Sequence, residues 1–192
     1  VNGLMLLKSR VDATSPENSD GGVVAIIDGG LEHAKLETDA SIEVSSLGIM
    51  QEFHERSREN MQKQVMHLSS LGVDLLVVRD GIDDEAISLM TKAGIVAYRR
   101  FERSDMDLLS RITGARPARS VSALGDEDLG TYSKRGEERI SDVKHTLIEG
   151  DGGGMTLVVR GSSSAVREEA IRIFDDAIGV AHRLNSRPGV LP

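Results

Sequence analysis

The chain has no cysteine and no tryptophan, and only two tyrosines, three phenylalanines and four prolines in 192 residues. Without thiols it can form neither a disulfide nor a thiolate metal site, a composition compatible with a reducing cytosol. So few rings leave the core to aliphatic side chains. Lysine is scarce as well, six against seventeen arginines. With 31 acidic residues the net charge is −8, which argues against a nucleic-acid partner, because a phosphate backbone selects a basic surface. Two readings of this balance stay open: a high-salt cytosol in which screening relieves self-repulsion, or an ordinary acidic surface encoded by a GC-rich genome. No apolar run approaches the roughly 20 residues that cross a bilayer, and no signal-peptide pattern is present. The length suits one domain with a real core, or one plus an appendage.

What is present is periodic. Val73–Val78 (VDLLVV) is a short β-branched run behind Gly72, a candidate buried strand. Asp83–Ala93 places Ala86, Ile87, Met90 and Ala93 on one helical face, and Gly94 stops it. Ile95–Tyr98 is the next strand. Ser104 is the expected cap of another helix, with Asp105 and Asp107 at the positive end of its dipole and Gly114 and Pro117 at its close. Strand, helix, strand, helix at these lengths implies a parallel α/β layer. Ser120–Lys144 is polar and irregular, and reads as loops and short strands. Met155–Arg160 (MTLVVR) reads as a strand, followed by a helix capped by Ser163 or Ser164. Along that helix Val166, Ala170, Ile173, Phe174, Ala177, Ile178 and Ala181 form one apolar stripe.

One segment breaks the pattern. Gln51–Gln64 (QEFHERSRENMQKQ) favours helix by composition, yet only Phe53 and Met61 in it are apolar. A helix polar on all sides bridges or projects into solvent. Just before it, Ser45–Met50 puts Leu47, Ile49 and Met50 in an expected turn. An apolar tip on a polar stalk suits a contact device; the alternative is that these side chains fold back onto the core.

No catalytic constellation stands out. The Gly150-Asp151-Gly152-Gly153-Gly154 loop invites a phosphate reading, but a phosphate cradle needs a following helix N-terminus, and here a strand is expected. The histidines (33, 54, 67, 145 and 182) lack ligand spacing, and His54-Glu55 lacks the second histidine of a zinc helix. Asp83-Asp84 reads as helix-start charge rather than an acid/base pair. Arg99-Arg100 offers charge for an anion, but a strand-edge ion pair is the expected arrangement.

The order of elements from Asp80 to Arg119 (DGIDDEAISLMTKAGIVAYRRFERSDMDLLSRITGARPAR) resembles the apical domain of the group II chaperonins, the thermosome and its eukaryotic relatives. Val1–Val11, Val23–Leu31 and Ile171–Pro192, with its Asp-Ala-Ile and its Val190-Leu191-Pro192, are similar to further parts of that family. Thr38–Leu71 aligns with the helical protrusion used there as a built-in lid. Ala40, Ile42, Val44, Ser45, Gln51 and Phe53 match its pattern, while Ser46-Leu47 replaces the usual Asp-Pro turn.

The resemblance implies an α/β fold of layered sheet and helices with a projecting protrusion. It implies a hinge segment over residues 1–22, an apical substrate-binding domain over 23–160 with the protrusion at about 38–71, and a helix returning to the intermediate domain over 161–192. It further implies a piece of a longer, archaeal-type protein that binds unfolded or partly folded polypeptides and closes the folding chamber. Client contacts would come from Leu47, Ile49, Met50 and Phe53 at the tip and from Glu85, Ser88, Leu89 and Lys92 on a helix facing the cavity. Asp176 is implied as the carboxylate that activates water for ATP hydrolysis, in the intact parent only. ATP and magnesium would bind there, and no cofactor or metal is expected in this piece. The parent would join other subunits in a cytoplasmic double ring, whereas this piece is expected to be monomeric and without nucleic-acid or membrane partners. Two alternatives remain: an apical-like binding module borrowed by an unrelated protein such as a lipid kinase, and a small-ligand or nucleotide-binding α/β enzyme built on the Gly150 loop.

Overall fold

The structure, a computed structural model, describes residues 1–32, 47–140, 142–187 and 189, with residues 47–54 by their backbone alone. It divides into two compact units, Val1–Thr156 and Leu157–Pro192.

In the first unit, β2 (Gly22–Ile27), β3 (Leu75–Val78), β4 (Val96–Tyr98) and β5 (Gly130–Tyr132) form a sheet in the order β4-β3-β2-β5. The pairs β2–β3 and β3–β4 are parallel, in the registers Val24↔Leu75 and Leu75↔Val96, and β5 closes the far edge antiparallel. The three parallel strands read as continuous apolar runs because both their faces are covered. Alternation then divides the side chains between two cores. Leu76, Val78 and Ala97 meet Met61, Val65, Leu68, Ala86 and Met90 from α1 (Leu47–Ser70) and α2 (Asp84–Lys92). Leu75, Val77 and Tyr98 meet Phe101, Met106 and Leu109 under α3 (Arg103–Thr113). Tyr98 and Phe101 contribute an edge-to-face ring pair at 6.2 Å. The expected parallel α/β layer is therefore present, with helices on both faces.

A second, antiparallel sheet has the order β1-β7-β6, from β1 (Leu4–Leu6), β6 (Lys134–Ile140) and β7 (Val143–Glu149). It joins the α3 side through Leu4 and Ile148. The β6–β7 hairpin starts within Ser120–Lys144, where only loops and short strands are expected. Its first strand, KRGEERI, has no apolar alternation, so it is held by the backbone ladder and by buried charge.

Three local expectations are corrected. Glu102, not Ser104, occupies the N-cap of α3, and no side-chain cap bond forms there. Gly114 does close that helix, in the left-handed region at φ 78°. Met155–Arg160 is not a strand: Met155 makes a single bridge to Asn2, and Leu157–Arg160 form no ladder within their own unit. Helix α1 begins at Leu47, so Leu47–Met50 are helical rather than a turn. Leu47 and Met50, with Gln51 and Glu52 directly after them, are good helix formers, and the single Gly48 does not outweigh them.

The second unit contains α4 (Ser164–Ser186), with Ser163 at the N-cap. Among the described residues of that unit no other element covers its apolar stripe, and Val166, Ile173, Phe174 and Ile178 are exposed.

Candidate functional site

The residues singled out on α2 belong to a two-helix face. The C-terminal half of α1 docks on the sheet through Met61, Val65 and Leu68, one stripe at i, i+4 and i+7. At 100° per residue, Arg58, Gln62, Met66 and Ser69 lie on one flank of that stripe and His67 on the other. His67 Nε2 lies 3.0 Å from the Leu124 carbonyl oxygen, tying its flank to the turn at Val121–Ala123. The Arg58 flank faces α2, because Arg58 Nε sits 3.0 Å from Glu85 Oε1. Glu85 and Leu89 of α2 lie toward α1, Leu89 half-buried against the core. Ser88 and Lys92 are exposed on the outer side of α2, and Met66 is 71% exposed. The result is a mixed surface of thioether, aliphatic, hydroxyl and charged groups on two helices fixed to a rigid sheet. Such a surface offers modest apolar contact without a shaped pocket.

The other flank of α2 borders a groove that no sequence pattern marks. Val11, Asp12 and Ala13 form one wall, and Asp84, Ile87, Ser88, Thr91 and Lys92 the other, around about 440 Å³. Thr91 Oγ1 donates to Asp12 Oδ2 at 2.6 Å, and the N–H and hydroxyl of Thr14 both donate to Asp12 Oδ1 at 2.8 Å. The Thr91 hydroxyl, then the Thr14 amide and hydroxyl, hold the Asp12 carboxyl below the usual carboxylate range. The Val11 N–H bonds the Ala97 carbonyl at the β4 edge, 3.0 Å. Behind this wall Arg10 Nε reaches Glu137 Oε1 at 2.6 Å, and its Nη1 donates to the Ser15 carbonyl. Buried Arg135 donates to the carbonyls of Pro16 and Glu17 at 3.1 and 3.2 Å. Two guanidiniums from distant parts of the chain thus clamp residues 15–17, and the groove wall with them.

The remaining candidates do not gather into a site. Leu47, Ile49, Met50 and Phe53 lie on the α1 backbone, their side chains outside the described residues, and residues 38–46 of the expected protrusion lie outside them too. Asp176 is exposed on α4, 3.9 Å from Arg172 one turn away. Of the histidines, His145 Nδ1 lies 3.0 Å from the Val143 carbonyl, and His33 and the His54 side chain fall outside the described residues. Among the described residues no group of His, Asp and Glu could hold a metal ion. Neither Arg99 nor Arg100 forms the expected ion pair among those residues. Instead the backbone of Arg100 turns left-handed at φ 59°, its N–H bonding the Asp80 carbonyl at 3.1 Å.

The glycine loop has a packing explanation. The Gly152 N–H donates to the Ile112 carbonyl at 2.8 Å, and a Cβ on Gly150 would stand 2.5 Å from that same oxygen. The loop is pressed against the last turn of α3, the negative end of a helix dipole, beside Glu149. A phosphate needs the opposite end.

The family model described as the TCP-1/cpn60 chaperonin family matches residues 1–192. The chain is 34% identical over 182 residues to thermosome subunit alpha of Methanothermobacter thermautotrophicus, covering 94% of this chain and 34% of that protein. It is 32% identical over 194 residues to thermosome subunit 1 of Haloferax volcanii, covering 100% and 35%. The chain therefore spans about one third of the length of the curated relatives it matches. Among solved structures, it shares the fold of an open-state group II chaperonin monomer from Methanococcoides burtonii, with TM-score 0.73 and 24% identity over 94% of this chain and 39% of that one. An open-state group III chaperonin superposes with TM-score 0.78 and 24% identity over 100% and 39%. The resemblance to thermosome-type proteins read from the Asp80–Arg119 stretch is borne out.

Proposed function

This chain belongs to the TCP-1/cpn60 chaperonin family, and from that premise we propose that it is the polypeptide-binding apical part of a group II chaperonin subunit, with a portion of the intermediate domain attached. The observation that carries this reading is the α1–α2 face. Two helices anchored by Met61, Val65, Leu68, Ala86 and Met90 present Met66, Glu85, Ser88, Leu89 and Lys92 together. Weak, varied contacts on a rigid support suit the capture of partly folded chains that share no sequence. Leu47, Ile49, Met50 and Phe53 extend the same helix as client- or lid-contacting positions, within a built-in lid at about 38–71.

The parent is proposed to be a cytoplasmic, ATP-hydrolysing double ring in which Asp176 is the catalytic carboxylate, with ATP and magnesium. The residues of this chain do not themselves fit a nucleotide: its glycine loop is filled by the end of α3, and Asp176 stands among exposed helix side chains. Nucleotide chemistry is therefore assigned to the rest of the parent, and this piece is proposed to be a monomer that hydrolyses nothing. The match through residues 1–192, α4 included, favours a chaperonin subunit over a borrowed binding module.

Capture of a urea-unfolded client by the 192-residue chain tests the reading. Met66→Ser should weaken capture severalfold with the melting point unchanged, since that side chain is 71% exposed. Absence of capture, or capture indifferent to Met66, sinks the proposal. Magnesium-dependent ATP turnover by the chain would favour the nucleotide-enzyme alternative instead.

A further inference from the structure

Arg79, Arg99, Arg100, Arg103 and Arg119 gather at one end of the parallel sheet, in a chain whose net charge is −8. The chain leaves the sheet there side by side. The Asp28 N–H bonds the Ala118 carbonyl at 2.7 Å, the Arg79 N–H the Ile27 carbonyl at 3.1 Å, and the Arg100 N–H the Asp80 carbonyl at 3.1 Å. The first residues past the sheet are therefore Arg99 and Arg100 after β4, Arg79 after β3, Asp28 after β2, and Arg119 after Ala118, which bridges Ile27 in parallel. Arg103 opens α3 at the same edge, its Nη2 3.4 Å from Asp28 Oδ2. With neighbouring strands about 4.8 Å apart, the row from Arg119 to Arg100 spans about 14 Å. The carboxyl ends of the strands are where open α/β sheets place their ligands.

The charges in this row are unequally used. Arg79 is neutralised from within: its Nη1 lies 2.5 Å from Asp28 Oδ1, and its Nε and Nη2 each lie 3.1 Å from an oxygen of Asp80. Arg99, Arg100 and Arg119 are exposed and have no ion-pair partner among the described residues. The side chain of Arg103 is 77% exposed and has only the long contact with Asp28. Of the other carboxylates near this edge, Glu32 Oε1 lies where a Cβ on Gly81 would stand, and Glu102 is the N-cap residue of α3. The strand-edge ion pair expected of Arg99-Arg100 is thus formed by Arg79 instead, and the doubled arginine is left for an anion from outside.

We propose that this edge docks an acidic polypeptide segment of a partner protein, through a surface separate from the α1–α2 face and independent of the reading that rests on it. A phosphate is held by donors that converge on one point. Here the unpaired guanidiniums stand at the two ends of a row, with neutralised Arg79 between them. Carboxylates spaced along a chain match that arrangement. An extended segment rises about 3.3 Å per residue, so roughly five residues cover the row, and side chains two apart reach it on one face. Each guanidinium fork can take a carboxylate with two parallel N–H donors. All the partners are solvent-exposed, so the docking is weak and falls with salt.

Two fluorescein-labelled peptides of equal length test this with the 192-residue chain, one alternating glutamate with serine and the other glutamine with serine. At low salt the glutamate peptide should bind about tenfold more tightly, the scale of three exposed ion pairs. The net charge of the chain would favour the opposite order, so the preference reports a local surface. Arg99→Gln/Arg100→Gln/Arg119→Gln should bring the ratio to about one. Arg119→Gln alone, at one end of the row, should lower it partway and covers the case in which the triple variant folds poorly. Arg111→Gln, in the last turn of α3, removes the same charge elsewhere and should leave the ratio intact. Capture of the urea-unfolded client should be unchanged in the folded triple variant. Equal binding of the two peptides by the wild type overturns the proposal, as does a ratio lowered as much by Arg111→Gln as by Arg119→Gln. Inorganic phosphate that displaces the glutamate peptide better than sodium chloride of equal ionic strength would reveal a point anion site and overturn the extended occupant. Loss of client capture in the folded triple variant would make the two surfaces one and overturn their separation.

Discussion

Helix α1 is one element with two physically different halves. From Met61 to Leu68 it is anchored by a buried apolar stripe, whereas Glu55, Arg56, Arg58, Glu59 and Asn60 are exposed. The Glu55–Asn60 stretch has no apolar side chain of its own to bury. It is helical because elongation adds one hydrogen bond per residue once the costly first turn exists, and the docked half supplies that turn. The lesson is that a surface meant to meet a partner can be built from poor core material, provided something beside it is well anchored. The same contrast separates the ion pairs. Arg10 and Glu137 have side chains only 5% and 8% exposed, while those of Arg58 and Glu85 are 68% and 32% exposed.

The strongest way to break this comparison is to remove the anchor. Leu68 is 0% exposed, and Leu68→Ala should cost about 2–5 kcal/mol, seen as a lower denaturation midpoint. Hydrogen exchange should then rise in both halves of α1. A rise confined to residues near Leu68 would show that the polar half does not depend on it.

A smaller effect is expected at the buried pair. Burial pushes the Glu137 carboxyl up, but its bonds and charge contacts with Arg10 and Lys144 outweigh that and leave it below the usual carboxylate range. A depressed folded-state value gives stability that is full above the unfolded carboxylate range, near pH 4.3, and lost as pH falls through the folded value. Glu137→Gln should therefore cost about 1–3 kcal/mol at pH 7. Its melting point should fall less than that of the wild type between pH 5 and acid. Parallel curves would mean that the pair contributes nothing.

Least should happen at the exposed pair. Arg58→Ala should change stability by no more than about 0.5 kcal/mol. It should still raise exchange at Glu55–Asn60, because the pair ties that stretch to α2. A large loss of stability would mean that the solvated half of α1 is docked after all.

Much of the scaffold was readable from local pattern. The apolar run at Leu75–Val78, the Ala86/Met90 spacing of α2 and the Gly114 stop of α3 each needed only nearby residues, and each formed. On α2 the same periodicity placed Ser88 and Lys92 on the outward side, whereas Leu89, expected there too, is half-buried against the core. The groove could not be placed in this way, since Asp12 and Thr91 are 79 residues apart and nothing local links them. The β6 strand escaped for a related reason: its charges look like loop until Arg10 and the carbonyls of Pro16 and Glu17 arrive to satisfy them. Composition and periodicity by themselves determined a cysteine-free acidic α/β layer with a polar helix extending from it, because those properties depend on side chains a few residues apart. Which charges are buried, which flank of α2 carries carboxylates and what the glycine loop packs against were decided only by tertiary contact, because a buried charge or a close backbone approach is specified by its distant partner.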